Sequence, residues 1–251
     1  MSNAPVSVEF LNAHASTIYF AKTADFDVDS LSVVLSEEEN AKAGRFRQLE
    51  DRQLQILAHS LKRAVLSKYL SVSPASLEFS TEFNGKPVCV YPNAPYFNLT
   101  HSHGWVALAV SMYSQVGVDI EFERSNIRID DIVARVASPQ ELSIYQCSED
   151  PMQAFLCLWT QKEALSKACG LGLSVGPPSI PSSSVTGKAR LEFLHTSYTS
   201  YTYSIHSKAV LTYVEEHYES NNHSPPVLLY AKPHKELDTE QLFEFDVFTL
   251  Y

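Results

Sequence analysis

The sequence predicts an α+β protein built as two similar halves of roughly 120 residues each. Three observations carry that expectation. Short apolar or alternating runs suited to strands occur on both sides of the middle: Tyr96-Phe97-Asn98-Leu99 and Trp105 to Met112 before it, Val116 to Phe122, Arg190 to Leu194, Ser200 to Ile205 and Ala209 to Val214 after it. Each half also holds one long segment with helical character, Gln48 to about Leu70 and Pro151 to about Cys169. A short echo links the halves, since Leu99-Thr100-His101-Ser102 before an apolar strand resembles Ser204-Ile205-His206-Ser207 before Ala209-Val210-Leu211. The division is expected at 114/115, giving subdomains 1–114 and 115–251.

Taken in order, residues 6–34 alternate in a strand-like way around Val6, Val8, Phe10 and Ile18-Tyr19-Phe20. Ser36 followed by Glu37-Glu38-Glu39 reads as a helix start, a cap residue and then acids in the first turn. In the segment from Gln48, the residues Leu54, Leu57, Ala58, Leu61, Val65 and Leu66 form one apolar stripe, with Arg52, Lys62 and Lys68 expected on other faces. Asn84-Gly85-Lys86-Pro87 marks a turn. Ser138-Pro139-Gln140-Glu141 is a capping box with proline at the first helical position. Asp150-Pro151-Met152-Gln153 repeats that grammar, and Gly170 suits the end of the helix it opens. Pro177 to Gly187, rich in Ser and Pro, predicts a surface loop. The tail from Glu215 to Tyr251 carries no pattern from which a function follows.

Composition narrows the functional classes. Of 251 residues, 29 are acidic and 19 basic, a formal charge of −10 and a sequence pI near 5.3, which argues against a general nucleic-acid binder. Four cysteines without a C-x-x-C pair give neither a zinc site nor a disulfide framework, and suit reduced thiols in the cytoplasm. Met1-Ser2-Asn3-Ala4-Pro5 lacks the basic start of a signal peptide, and the run Trp105 to Met112 is too short to span a bilayer, so no membrane partner is expected. The basic residues Lys42, Arg45, Arg47, Arg52, Lys62, Arg63 and Lys68 crowd one region. They form either a solvated helix face or a local anion site.

Two segments carry chemistry. Gly117-Val118-Asp119-Ile120-Glu121, read as a strand, puts Asp119, Glu121 and Glu123 on one face. Like charges so placed repel unless a cation or basic partner lies between them. About forty residues later, Trp159-Thr160-Gln161-Lys162-Glu163-Ala164-Leu165-Ser166-Lys167 places Glu163 and Lys167 one helical turn apart. Each part alone has an ordinary reading, as a solvated strand face and an i,i+4 ion pair. Together they offer three carboxylates and two lysines from elements of different type, a set suited to binding a divalent metal and a polyphosphate together.

The paired segments resemble the signature of the 4′-phosphopantetheinyl transferase superfamily, G-(I/V)-D-(I/V)-E followed by W-(S/T)-x-K-E-(A/S)-x-x-K, and the length resembles its monomeric, surfactin-synthetase-activating type. Phe97-Asn98-Leu99-Thr100-His101-Ser102 looks like the family's F-N-x-S-H-S segment, and Asn84-Gly85-Lys86-Pro87 like its G-K-P turn. The similarity runs from about Ser36 to Gly172. It implies a pseudo-dimer with the active site in the cleft between its halves, and transfer of 4′-phosphopantetheine from coenzyme A to a serine of an apo acyl, peptidyl or polyketide carrier protein, releasing 3′,5′-ADP. By the same resemblance Asp119, Glu121 and Glu163 hold Mg²⁺, with Mn²⁺ as an alternative. Catalysis falls to Asp119, Glu163 and Lys167, the general base being Glu163 or a metal-bound water. Lys167 contacts a phosphate, Lys86, Thr100 and His101 line the nucleotide phosphates, and Lys42 with Arg45 meets the 3′-phosphate.

The sequence departs from the pattern at two places. Glu39 stands three positions before Lys42, where the family often has a basic residue, and Leu54-Gln55 replaces a basic-then-hydroxyl pair. Two rival readings stay open: a Mg²⁺-dependent phosphodiesterase using the same Asp-x-Glu strand, and a carrier-binding module without turnover.

Overall fold

A computed structural model describes residues 16–125, 128–205, 208–217, 224–234 and 242–247. The chain opens with β1 (Ser16–Lys22), two short 3₁₀ segments, α1 (Glu37–Ala43) and the long α2 (Leu49–Leu70). It continues through β2 (Phe79–Thr81), β3 (Pro87–Cys89), β4 (Tyr96–Ser102) and β5 (Trp105–Ser111). Then come β6 (Val116–Phe122), α3 (Ile129–Val136), α4 (Pro139–Gln146), the long α5 (Pro151–Cys169), β7 (Gly187–Phe193), β8 (Thr196–Ile205) and β9 (Ala209–Glu216). The last strands are β10 (Val227–Pro233) and β11 (Phe243–Val247).

These elements form two compact units. The first takes the described residues of 1–82, 87–113 and 224–249, and the second those of 83–86 and 114–223. The first unit has a five-stranded sheet in the order β11-β10-β1-β5-β4, with β1 antiparallel to β5 and parallel to β10. Helix α2 lies across it and buries Leu57, Leu61, Val65 and Leu66 against Val106, Leu108 and Phe97. A small β2-β3 ladder stands apart. The second unit has a four-stranded antiparallel sheet, β6-β9-β8-β7, crossed by α5, which buries Ala164, Leu165 and Ala168 with Val214 and Leu191.

The α+β architecture of two similar subdomains is thus present, and its similarity is topological. In each unit a strand is followed by a long helix and then a hairpin, and the second hairpin strand pairs antiparallel with the first strand. The sheet order β4-β5-β1 in one unit matches β8-β9-β6 in the other. The echoed tetrapeptides sit where β4 turns into β5 and where β8 leads to β9, although His206 and Ser207 lie outside the described residues.

Local signals explain the helix limits. Ser36 and Glu39 satisfy each other's backbone N–H groups at the start of α1, and Ser138 and Glu141 do the same at α4. Asp150 accepts from the Gln153 N–H at the start of α5, which ends on Gly170 in the left-handed region at φ 71°. Three expectations change. Val28–Val34 is a 3₁₀ segment, not strand, because Val28, Leu31 and Val34 bury one side against α2. Helix α3 carries no strong cap and was not expected. The second subdomain does not run on from 115 to 251, since β10 and β11 return to extend the first sheet beside β1. The expected strand around Val6, Val8 and Phe10 lies outside the described residues.

Candidate active site

The second unit builds its site where β6 crosses α5. Gly117 permits the crossing: a Cβ there would stand 1.9 Å from the Ala164 carbonyl oxygen and 2.6 Å from the Ala168 amide nitrogen. Strand and helix therefore meet backbone to backbone, with only alanines on the helix side. Strand alternation then puts Asp119 and Glu121 on the same face as Gly117. Beneath them the Thr160 hydroxyl bonds the Leu156 carbonyl and, at 2.8 Å, the hydroxyl of Thr212, which lies opposite Asp119 in the β6-β9 register.

Asp119 is buried, and its Oδ1 accepts from Lys167 Nζ at 2.6 Å; Lys167 also donates to the Val118 carbonyl at 3.3 Å. Glu121 is half-buried and pairs with the exposed Arg124 at 3.3 Å. Burial raises the Glu163 carboxyl above its ordinary value, the charges of Asp119 and Glu121 push it further, and Lys167 only partly opposes them. Glu163 thus lies within electrostatic reach of Asp119, Glu121 and Lys167.

Among the described residues, no three His, Cys, Asp or Glu side chains converge closely enough to cage an ion by themselves. The donor set nevertheless suits Mg²⁺, which usually takes one or two carboxylates, several waters and substrate phosphate oxygens in preference to an all-protein cage. Beside Glu121 opens an apolar pocket of about 250 Å³, walled by Ile132, Met152, Phe155, Leu156 and Trp159.

Two lysines of the family-like segments, Lys162 and Lys86, are buried in hydrogen-bond networks. Lys162 is fully buried, pairs with Glu141 at 2.8 Å, and donates to the carbonyls of Pro177, at 3.0 Å, and Ile180. Gln161 beside it accepts from the Ser183 and Ser184 amides and donates to the Val185 carbonyl. The predicted surface loop is therefore clamped to α5 through residues 161 and 162. Lys86, expected to line a nucleotide phosphate, is also buried. Its Nζ donates to the Gln115 side chain at 2.7 Å and to the carbonyls of Val116, at 3.1 Å, and Ala168, at 3.0 Å. It joins the start of β6 to the end of α5, because the turn that carries it packs against both.

The first unit carries the other predicted residues. Lys42 and Arg45 are exposed around the end of α1. Thr100 is buried and its neighbour His101 exposed, on opposite faces of β4. Lys62, expected off the apolar stripe, is buried, and so is Arg63. Both bind Glu39, Lys62 Nζ to Oε1 at 2.8 Å and Arg63 Nε to Oε2 at 2.6 Å, while His59 Nδ1 lies 2.8 Å from Oε1. The sequence marked Glu39 as unusual but held no sign of these partners.

The sequence profile of the 4′-phosphopantetheinyl transferase superfamily matches residues 115–220, and that of the N-terminal part of 4′-phosphopantetheinyl transferases matches residues 22–113. The chain is 31% identical over 152 residues to the 4′-phosphopantetheinyl transferase HetI of Nostoc sp., a match covering 59% of this chain and 64% of that protein. It is 34% identical over 156 residues to psf-1 of Bacillus pumilus, covering 62% and 66%, and 33% identical over 145 residues to Sfp of Bacillus subtilis, covering 56% and 62%. Each match spans slightly less than two thirds of the relative's own length.

Proposed function

Because this chain belongs to the 4′-phosphopantetheinyl transferase superfamily, we propose that it moves 4′-phosphopantetheine from coenzyme A to a serine hydroxyl of an apo carrier protein, as a cytoplasmic monomer. The observation that supports the reading is the ion pair of Lys167 with the buried Asp119 at the β6-α5 crossing, with Glu163 within electrostatic reach of Asp119, Glu121 and Lys167. The serine oxygen attacks the phosphorus that bears pantetheine, the bond from that phosphorus to the bridging oxygen breaks, and 3′,5′-ADP leaves with the electron pair. The serine proton passes to Glu163 or to a water that Glu163 orients. The raised proton affinity of this carboxyl suits it to the task.

Asp119, Glu121 and Glu163 would hold a divalent cation, Mg²⁺ or Mn²⁺. When bound, it offsets charge on the pyrophosphate, which is most of what phosphoryl transfer asks of a site. Lys167 supports the leaving nucleotide with a second positive charge. The apolar pocket beside Glu121 suits the pantetheine arm. Lys42 and Arg45 would meet the nucleotide's 3′-phosphate, and Thr100 and His101 its remaining phosphate oxygens.

Asp119→Asn tests the assignment. Modification of an apo carrier is expected to fall at least a hundredfold while carrier binding, followed by calorimetry, persists. Steady release of 3′,5′-ADP or free phosphopantetheine from coenzyme A without any carrier would instead favour phosphodiesterase chemistry.

A further inference from the structure

We propose that Glu39 makes this chain nearly indifferent to the 3′-phosphate of its donor, so that 3′-dephospho-coenzyme A serves almost as well as coenzyme A. The inference rests on the donor reading given above. It concerns a pocket of about 400 Å³ in the first unit, bordered by Lys42, His59, Lys62, Arg63 and Thr81, with Phe79 beneath.

A phosphate monoester carries close to two negative charges and is gripped by charge-assisted hydrogen bonds from cationic donors. The pocket's strongest donors are already engaged by an internal anion. Glu39 Oε1 takes Lys62 and His59, and Oε2 takes Arg63. Arg63 Nη1 is committed further to the carbonyls of Pro74 and Leu77, both at 2.9 Å. Lys62 Nζ also lies 3.7 Å from the centre of the Phe79 ring.

Burial pushes the Glu39 carboxyl upward, but the His59 hydrogen bond and the Lys62 and Arg63 partners more than reverse this. They hold it far below the ordinary carboxylate range, so it is charged throughout the neutral region. A phosphate entering beside Glu39 would meet like charge and cations already shared. Lys42 and Arg45, both exposed, could still attract it, but such pairs are screened by salt and contribute little.

The test compares kcat/KM for coenzyme A and 3′-dephospho-coenzyme A on one apo carrier at physiological salt. The wild-type ratio is expected to stay within about threefold, as screened surface charges allow. A preference for coenzyme A of about fiftyfold or more, typical of a desolvated charge-assisted site, overturns the proposal. Glu39→Gln keeps the capping box and removes the internal anion. It is expected to raise the preference for coenzyme A about tenfold, with a melting curve confirming that the variant folds. An unchanged ratio in a folded variant counts against the role.

Calorimetric titration of the free protein with 3′,5′-ADP and with 5′-AMP gives a readout without turnover. Similar affinities support the inference, and much tighter 3′,5′-ADP overturns it. If the two nucleotides bind alike and neither donor modifies any carrier, the transferase reading fails while the assignment of Glu39 stands. If neither nucleotide binds, both fall.

Discussion

Glu163 and Lys162 are sequence neighbours with opposite tasks. The Glu163 carboxyl is disfavoured as a charge by burial and by two other carboxylates, so it seeks a proton or a cation. Added Mg²⁺ is expected to raise the melting midpoint of the wild type and to leave that of Glu163→Gln unchanged, since ligand binding to the folded state alone raises the midpoint. Lys162 completes a buried pair with Glu141 at 0% and 5% side-chain exposure. Removing one member strands the other, so Lys162→Met should cost about 3–5 kcal/mol of stability in urea unfolding.

Glu39 gives the pH dependence. Its folded-state carboxyl is held below the unfolded value of 4.5, so its contribution is complete above that value and is lost as pH falls below it. Between pH 5 and pH 3 the wild type should therefore lose more stability than Glu39→Gln, as measured by unfolding at each pH. The carboxylates of the site were legible in the sequence because strand and helix periodicity fix their faces. The burial of Lys62, Lys86 and Lys162 was not, because a lysine's partners come from segments remote in sequence.

At the scale of elements, the β6-α5 crossing depends on the absence of one side chain. Gly117→Ala would drive a Cβ into the helix backbone, where no flexible side-chain end can yield. Overpacking of that kind costs about 1–3 kcal/mol or more. Because the shift falls between Asp119 and Glu163, activity is expected to fall further than stability does. Comparing kcat with the urea midpoint checks this.

The long helices α2 and α5 were readable because each buries an apolar stripe, and Gly170 marks the end of α5; the short α1 was readable from the box of Ser36 and Glu39. Helix α3 has only two turns and no side-chain cap, so nothing in the sequence marked its start although its apolar residues keep helical spacing. Val28–Val34 follows a strand-like stretch, yet it coils: Val28, Leu31 and Val34 recur every third residue and bury one side beside α2, leaving Val33 exposed.

For the molecule as a whole, the duplicated strand-helix-hairpin plan could be suspected from one echoed tetrapeptide. The return of the tail could not, because strand pairing across two hundred residues leaves no local mark. Leu229, Ala231, Phe243 and Phe245 are buried in the core of the first unit, and β10 lies alongside β1. Truncation after residue 223 should therefore uncover the edge of β1 and the face that these residues seal. The expected result is a loss of amide-exchange protection in β1, β5 and α2 with protection kept in β6, β8 and β9. Uniform loss would mean that the units do not fold independently.

The most direct test of the central claim is the mass of an apo carrier protein after incubation with this protein, coenzyme A and Mg²⁺. The account predicts a gain of one phosphopantetheine, absent with EDTA and absent with Glu163→Gln. No gain on any fatty-acid, polyketide or peptide carrier, or a gain that survives both the chelator and the substitution, would contradict it.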